Sequence, residues 1–272
     1  MIGVASVFGD ESADQRAQIV FAVAALVGSD EQWDDTVDEW LKITKGEEFH
    51  ASGWESQHRN QSYNELAQVI QSSGLIGYGV AIDLAAFRAS FVDATLDYAY
   101  HKCFTEVTDK LVQLSAEAGH KDLKFTFDGR QGQGTTGLLY NNMSAQKEWT
   151  DLISFADEIS FGNRKNPRIQ IADLVARETM KGFLCALENA QYREPFRALA
   201  SSDDRLKFDF LMGEYFSQWA AGLRELEKAT GIYASEYFAW IKRKNMQENL
   251  NSRIRYLIWR DAQVVRKKNG NS

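Results

Sequence analysis

Near the start of the chain apolar residues fall in unbroken runs; further along they fall in stripes. Val4–Gly9 and Gln18–Val27 are apolar at successive positions, the signature of strands covered on both faces. Ser12–Ala17 between them is short and polar, so the two runs are expected to pair as an antiparallel hairpin. Ser29 or Asp30 offers an N-cap, after which Trp33, Val37, Trp40 and Leu41 fall on one helical face. Leu75–Ile82 alternates and carries glycines, which predicts a third strand; Asp83 then caps a helical region reaching about Ala118. In the next strand Leu123, Phe125 and Phe127 point one way, Lys124 and Thr126 the other, and Asp128 closes it. A polar, glycine-bearing loop over Gly129–Gly137 follows, then a short strand at Ile159–Phe161. Pro167 suits an early helical position, and that helix is expected to continue to about Glu188. Beyond it, apolar stripes over Phe208–Trp219, Tyr237–Ile241 and Ile254–Trp259 predict further helices. The pattern is a mixed sheet with helices over residues 1–190, then a helical extension over 191–272 packed on that core.

Composition supports a large core. Of 272 residues 44% are hydrophobic, with seven tryptophans and sixteen phenylalanines, which argues against disorder. No apolar run is long enough to span a bilayer, and the start of the chain lacks a basic segment followed by a long apolar one. Cys103 and Cys185 are too few for a disulfide framework and read as buried free thiols. These features point to a cytoplasmic protein.

Charge is unevenly spread. The net charge of −7 speaks against nucleic acid at first, yet Ile241–Ser272 holds nine basic residues against Glu248 and Asp261. That end therefore carries +7 and the preceding 240 residues −14. An acidic body with a basic end fits a protein that approaches nucleic acid.

Three acids stand where acids are costly. Asp10 ends the first apolar run, Asp128 ends the strand LKFTFD, and Asp173 lies inside the helical stretch IQIADLVAR. Burying a carboxylate without compensation is unfavourable. It becomes useful when several face a divalent cation, because magnesium and manganese prefer hard oxygen ligands. Two such ions about 3.5–4 Å apart activate a water and stabilise the leaving oxygen of a phosphodiester. The separations of 118 and then 45 residues mean that these acids meet only through tertiary folding. The bland readings are turn formation at Asp10 and at Asp128-Gly129, and a helix-surface pair of Asp173 with Arg177.

Two short motifs carry a resemblance. Asp10-Glu11-Ser12 matches an N-terminal DES motif, and Gln170-Ile171-Ala172-Asp173-Leu174 matches a C-terminal QxAD motif. Together they resemble the bacterial and archaeal family called domain of unknown function 3800, part of the ribonuclease-H-like superfamily, over roughly Val4 to Glu188. The resemblance implies a five-stranded mixed sheet, three strands antiparallel and then two parallel, flanked by helices. It also implies acids on the first strand, the fourth strand and the last core helix, the settings of Asp10, Asp128 and Asp173.

The expected activity is hydrolysis of phosphodiester bonds in nucleic acid with Mg2+ or Mn2+ held by Asp10, Asp128 and Asp173. The fourth carboxylate is open between Glu11, which a continuing strand would turn to the other side from Asp10, and Glu48. Glu48 and His50 share a face of an extended segment, and His50 suits a phosphate contact or a proton shuttle. Ser12 belongs to the first motif and joins the candidate substrate contacts. Gln170, one turn before Asp173, suits orienting a water or a ligand. Arg164, Lys165 and Arg168 flank the start of that helix, where backbone donors and cations attract phosphate. GRQGQGTTG over Gly129–Gly137 lacks the Gly-Lys-Ser/Thr ending of a nucleotide loop, and neither HExxH nor G-x-S-x-G occurs. The competing expectations are a nonhydrolytic binder of nucleic acid or protein, and a phosphoesterase acting on small molecules.

Overall fold

The computed structural model describes residues 4–14, 17–91, 96–129, 133–145, 147–156, 158–201 and 204–230. The expected stripes at Tyr237–Ile241 and Ile254–Trp259, and the basic stretch Ile241–Ser272, lie outside them. In chain order the elements are β1 (Val4–Ala13), β2 (Val20–Gly28), α1 (Asp30–Thr44), α2 (Ala51–Trp54), α3 (Asn60–Ser72), β3 (Ile76–Asp83), α4 (Leu84–Ser90), α5 (Leu96–Glu117) and β4 (Asp122–Asp128). There follow α6 (Gln133–Ser144), α7 (Lys147–Thr150), β5 (Ser154–Phe155), β6 (Ser160–Gly162), α8 (Pro167–Leu187), α9 (Glu194–Ala200), β7 (Leu206–Leu211) and α10 (Gly213–Thr230).

The strands form one seven-stranded mixed sheet in the order β5-β4-β1-β2-β3-β7, with β6 also beside β4. β1, β2 and β3 are antiparallel neighbours; β4 runs parallel to β1, β5 and β6 parallel to β4, and β7 parallel to β3. Three antiparallel strands followed by parallel ones is the ribonuclease-H-like arrangement. Two departures from the five expected strands are real. The position beyond β4 is shared by β5 and β6, and β7 adds an edge beside β3. Residues 206–211, expected to be helical, are that added strand, because Leu206, Phe208 and Phe210 alternate with Lys207 and Asp209 at the period of a strand.

Each face of the sheet buries its own core. Ala5, Val7, Phe125 and Phe127 pack towards Tyr100, Phe104 and Val107 of α5. On the other face Phe8, Ala24 and Leu26 meet Trp33 and Trp40 of α1 and Ile171, Leu174 and Val175 of α8. Helix α8 is buried continuously from Ile169 to Ala176, so it runs beneath the sheet, and Arg177 and Lys181 further along are half-buried. Gly79 of β3 permits this approach, since a Cβ there would stand 2.3 Å from Thr179 Oγ1.

The caps follow the sequence closely. Ser29 and Gln32 close a capping box on α1. Asp83 accepts from the amides of Ala85 and Ala86 at 2.9 and 3.0 Å, capping α4. Asn166 caps α8 with Pro167 in its first turn. The helical region after Asp83 is two helices rather than one. Leu41, expected on the apolar face of α1, is exposed. The Gly129–Gly137 loop is cut short by α6. Cys103 is buried and Cys185 half-buried, both free. Among the described residues no helix is long and apolar enough to cross a membrane.

Candidate active site

The acids converge because of strand register. Gly9 stands opposite Phe127 in the parallel β1–β4 pair, so Asp10 and Asp128 are the next residues of adjacent strands. Phe8 and Asp10 alternate with Val7 and Gly9, which places Asp10 on the α8 face. The same alternation places Asp128 there. Helix α8 carries Asp173 beneath that face. All three are buried, at 3%, 1% and 7% exposure.

β1 does not stop at Asp10. It continues through Ala13, since Glu11, Ser12 and Ala13 pair with Val23, Ala22 and Phe21 of β2. The DES segment is therefore strand rather than turn. Glu11 belongs by alternation to the α5 face, beside Tyr100. Its carboxyl is nevertheless within electrostatic reach of Asp128 and Arg164, and its Oε2 is buried without a hydrogen-bond partner among the described residues.

The charges repel. Burial pushes the Asp10 carboxyl well above the usual carboxylate range, and the charges of Asp173, Glu11 and Asp128 push it further; the Glu11 amide, donating at 2.8 Å, works against them. Glu11 is raised to about 7, by burial first and then by Asp128, with Arg164 opposing. Such clustering favours a proton or a cation over an isolated set of anions.

Two basic side chains enter the site from loops. The Arg164 Nε donates to Asp128 Oδ2 at 3.4 Å, and its Nη1 lies 3.4 Å from His50 Nε2. His50 Nδ1 is 2.9 Å from Asp173 Oδ2, which also accepts from the Ala51 amide at 3.0 Å. His50 is set there by its neighbour. Phe49 is buried against Trp40, Trp54 and Tyr63 at centroid distances of 4.8, 5.3 and 6.0 Å, so the residues on either side of it turn outward.

The structure separates the remaining candidates. Gln170 is 5% exposed; its Oε1 accepts from the Phe49 amide at 3.2 Å and its Nε2 donates to the Arg164 carbonyl at 2.7 Å. It brackets two loops instead of presenting itself to a ligand. Arg168, expected at a phosphate, is engaged by α1: it donates to Asp30 at 3.2 Å and Asp34 at 2.7 Å and covers the rings of Phe8 and Trp33. Lys165 and Glu48 are exposed, and Ser12 is half-buried in β1. Arg177 pairs with Glu55, not with Asp173. Tyr100 was not legible as a site residue, since it reads as one more apolar position of a helix. Its hydroxyl is pushed up by burial and by the charges of Glu11 and Asp10.

The donor set suits a divalent cation chemically: hard carboxylate oxygens, mutually repelling, one of them buried and unpartnered. Among the described residues no three His, Cys, Asp or Glu side chains already stand as a metal-holding group. Asp128 and Asp173 are instead engaged by Arg164 and His50.

No family profile matches the chain, and no characterised protein matches it in sequence. Its backbone is similar to three solved ribonucleases. One is in a PCNA:RNase HII complex from Archaeoglobus fulgidus, with 12% identity, a TM-score of 0.41, and 68% of this chain and 75% of that chain covered. The second is Bst-RNase HIII in complex with Mn2+, with 11% identity, a TM-score of 0.46, and coverage of 69% and 56%. The third is Aquifex aeolicus RNase H3, with 12% identity, a TM-score of 0.36, and coverage of 77% and 71%. The chain thus spans a little over half of Bst-RNase HIII.

Proposed function

We propose that the protein is a divalent-metal-dependent nuclease hydrolysing phosphodiester bonds of nucleic acid. The observation that carries this reading is the charge imbalance of the site. Asp10, Glu11, Asp128 and Asp173 come from β1, β4 and α8 and are largely buried, and the charges of Asp128 and Asp173 help to raise the proton affinity of Asp10 and Glu11. A fold does not bear that cost for stability.

Asp10, Asp128 and Asp173 would hold Mg2+ or Mn2+, with Glu11 as fourth carboxylate. Bound cations would supply an activated water and neutralise the leaving oxygen. Arg164, from the loop before α8, would meet a phosphate oxygen, with Lys165 adding exposed charge beside it. His50, exposed and with its Nε2 beside Arg164, suits a phosphate contact. Gln170 holds the backbones of both loops so that these groups face the acids. The basic stretch Ile241–Ser272 would add affinity for a polyanion that depends on salt.

The test is a panel of DNA, RNA and small phosphoesters with magnesium, manganese or chelator, comparing wild type with Asp10→Asn and Asp173→Asn. Cation-dependent cleavage of polynucleotide, lost in both variants, is expected. Equal cleavage by all three proteins would remove the mechanism. Salt-sensitive binding with no product would leave a nonhydrolytic binder, and turnover confined to small phosphoesters would leave a phosphoesterase.

A further inference from the structure

Asp128, Arg164, His50 and Asp173 form a continuous chain across the site, with contacts of 3.4, 3.4 and 2.9 Å. It joins an acid of β4 to an acid of α8 through two side chains from separate loops. The loops are themselves tied, because Gln170 takes the Phe49 amide with one end of its amide group and the Arg164 carbonyl with the other. Both basic groups are therefore held on the helix that carries Asp173.

The clasp occupies oxygens that a cation would need. Asp128 has Oδ1 on the Gly129 amide at 2.8 Å and Oδ2 on Arg164. Asp173 has Oδ2 shared between His50 and the Ala51 amide. Arg164 cannot relieve this by losing its proton, since a guanidinium stays charged throughout the working pH range. With its side chain 26% exposed beside an Asp128 side chain that is 2% exposed, the pair is less screened than a surface pair.

We propose that Arg164, tied to Asp173 through His50, is an internal counter-ion that exchanges with the divalent cation. This rests on the nuclease reading. A cation and Arg164 compete for Asp128, and a substrate phosphate and Asp128 compete for the Arg164 guanidinium. Cation binding frees the arginine for phosphate, and phosphate binding frees the aspartate for the cation. The two ligands then favour each other, and the coupling is equal in both directions.

The experiment is Mn2+ titration of the full chain, followed by the electron paramagnetic resonance signal of free Mn2+, without substrate. Arg164→Gln removes the competitor and keeps much of the shape. It is expected to bind Mn2+ about fivefold tighter than wild type or better. His50→Ala releases the other end and is expected to shift affinity in the same direction; it decides the matter if Arg164→Gln does not fold, which a thermal melt would show. Unchanged or weaker Mn2+ binding in the folded variants would overturn the clasp. The metal reading would survive that result if wild type binds saturably and Asp10→Asn does not. Absence of saturable binding in wild type and Arg164→Gln alike would overturn both.

Discussion

Helix α8 carries two groups of buried charge one turn apart, and they are built on opposite principles. Around Arg177 the signs are mixed. Glu55 receives Arg177, with Nη2 donating to Oε2 at 3.1 Å, and has Lys181 at 3.9 Å and Arg193 at 3.5 Å. Glu178, fully buried, accepts from Tyr63 at 3.0 Å and lies 3.4 Å from Arg193. Burial pushes Glu55 up, but the Arg177 hydrogen bond and the charges of Arg177, Arg193 and Lys181 hold it below its ordinary range. Around Asp173 four acids gather against Arg164 and His50, and Asp10 and Glu11 are pushed up. Glu178, wholly buried, is also pushed up by burial, but the charge of Arg193 and the Tyr63 hydrogen bond oppose it, whereas only a backbone amide opposes the rise at Asp10. The balanced group fastens α8 to the loop after α2 and to the segment before α9. The unbalanced group has no such return and is intelligible as a receiver of cations from outside.

The sharpest way to break this contrast is Asp10→Asn. Cation-dependent cleavage should fall by more than about a hundredfold. The cation-free protein should melt no lower than wild type, because a repelling charge has gone. A drop in both would mean that Asp10 serves the fold.

Next in size is Arg177→Met. Removing the main partner of Glu55 should cost about 3 kcal/mol in urea denaturation. Mn2+ affinity should stay as it was. Loss of affinity with little loss of stability would reverse the roles assigned to the two groups.

Glu55 in the one group and Asp10 and Glu11 in the other should also respond oppositely to pH. Glu11 titrates near 7 in the folded chain and in the ordinary carboxylate range when unfolded, and Asp10 is shifted the same way. Between these values the folded state holds more protons, so cation-free stability is full below the unfolded value and declines as pH rises through about 7. Glu55 is lowered, so its contribution is present above its unfolded value and lost as pH falls through the folded one. Thermal melts from about pH 3 to about pH 8 should show both limbs, with Mn2+ reversing only the upper decline.

The smallest expected effect is that of Arg168→Ala. Its partners Asp30 and Asp34 are exposed, so the loss should be about 0.5 kcal/mol. Mn2+ binding should be unaffected, in contrast with Arg164→Gln.

Residues that decide their own surroundings were readable in advance. The apolar run before Asp10, the alternation of Leu123–Asp128 and the Asn166-Pro167 start of α8 each follow from local preference. Asp10, Asp128 and Asp173 stood out because an acid in an apolar element is unusual at any position. What depended on distant partners was not readable. The DES segment looks like a turn until Val23, Ala22 and Phe21 pair with it. LKFDFL merges into a helical stripe with Tyr215 and Trp219 unless β3 is there to receive it. Nothing in the sequence around Arg168 or Arg177 tells which acid each will find, because Asp30, Asp34 and Glu55 are more than a hundred residues away.

Strand β7 sets a lower bound on how far this polypeptide can be trimmed. It meets β3 from Gly77↔Leu206 to Ile82↔Leu211, and its Phe208 and Phe210 cover Phe196 and Phe183. A fragment ending after α8 would bare the edge of β3 together with the ring of Phe183. Bare edges of that kind recruit one another into aggregates. Expression of the fragment ending after α8 is therefore expected to give inclusion bodies, while a fragment carried through α10 stays dispersed.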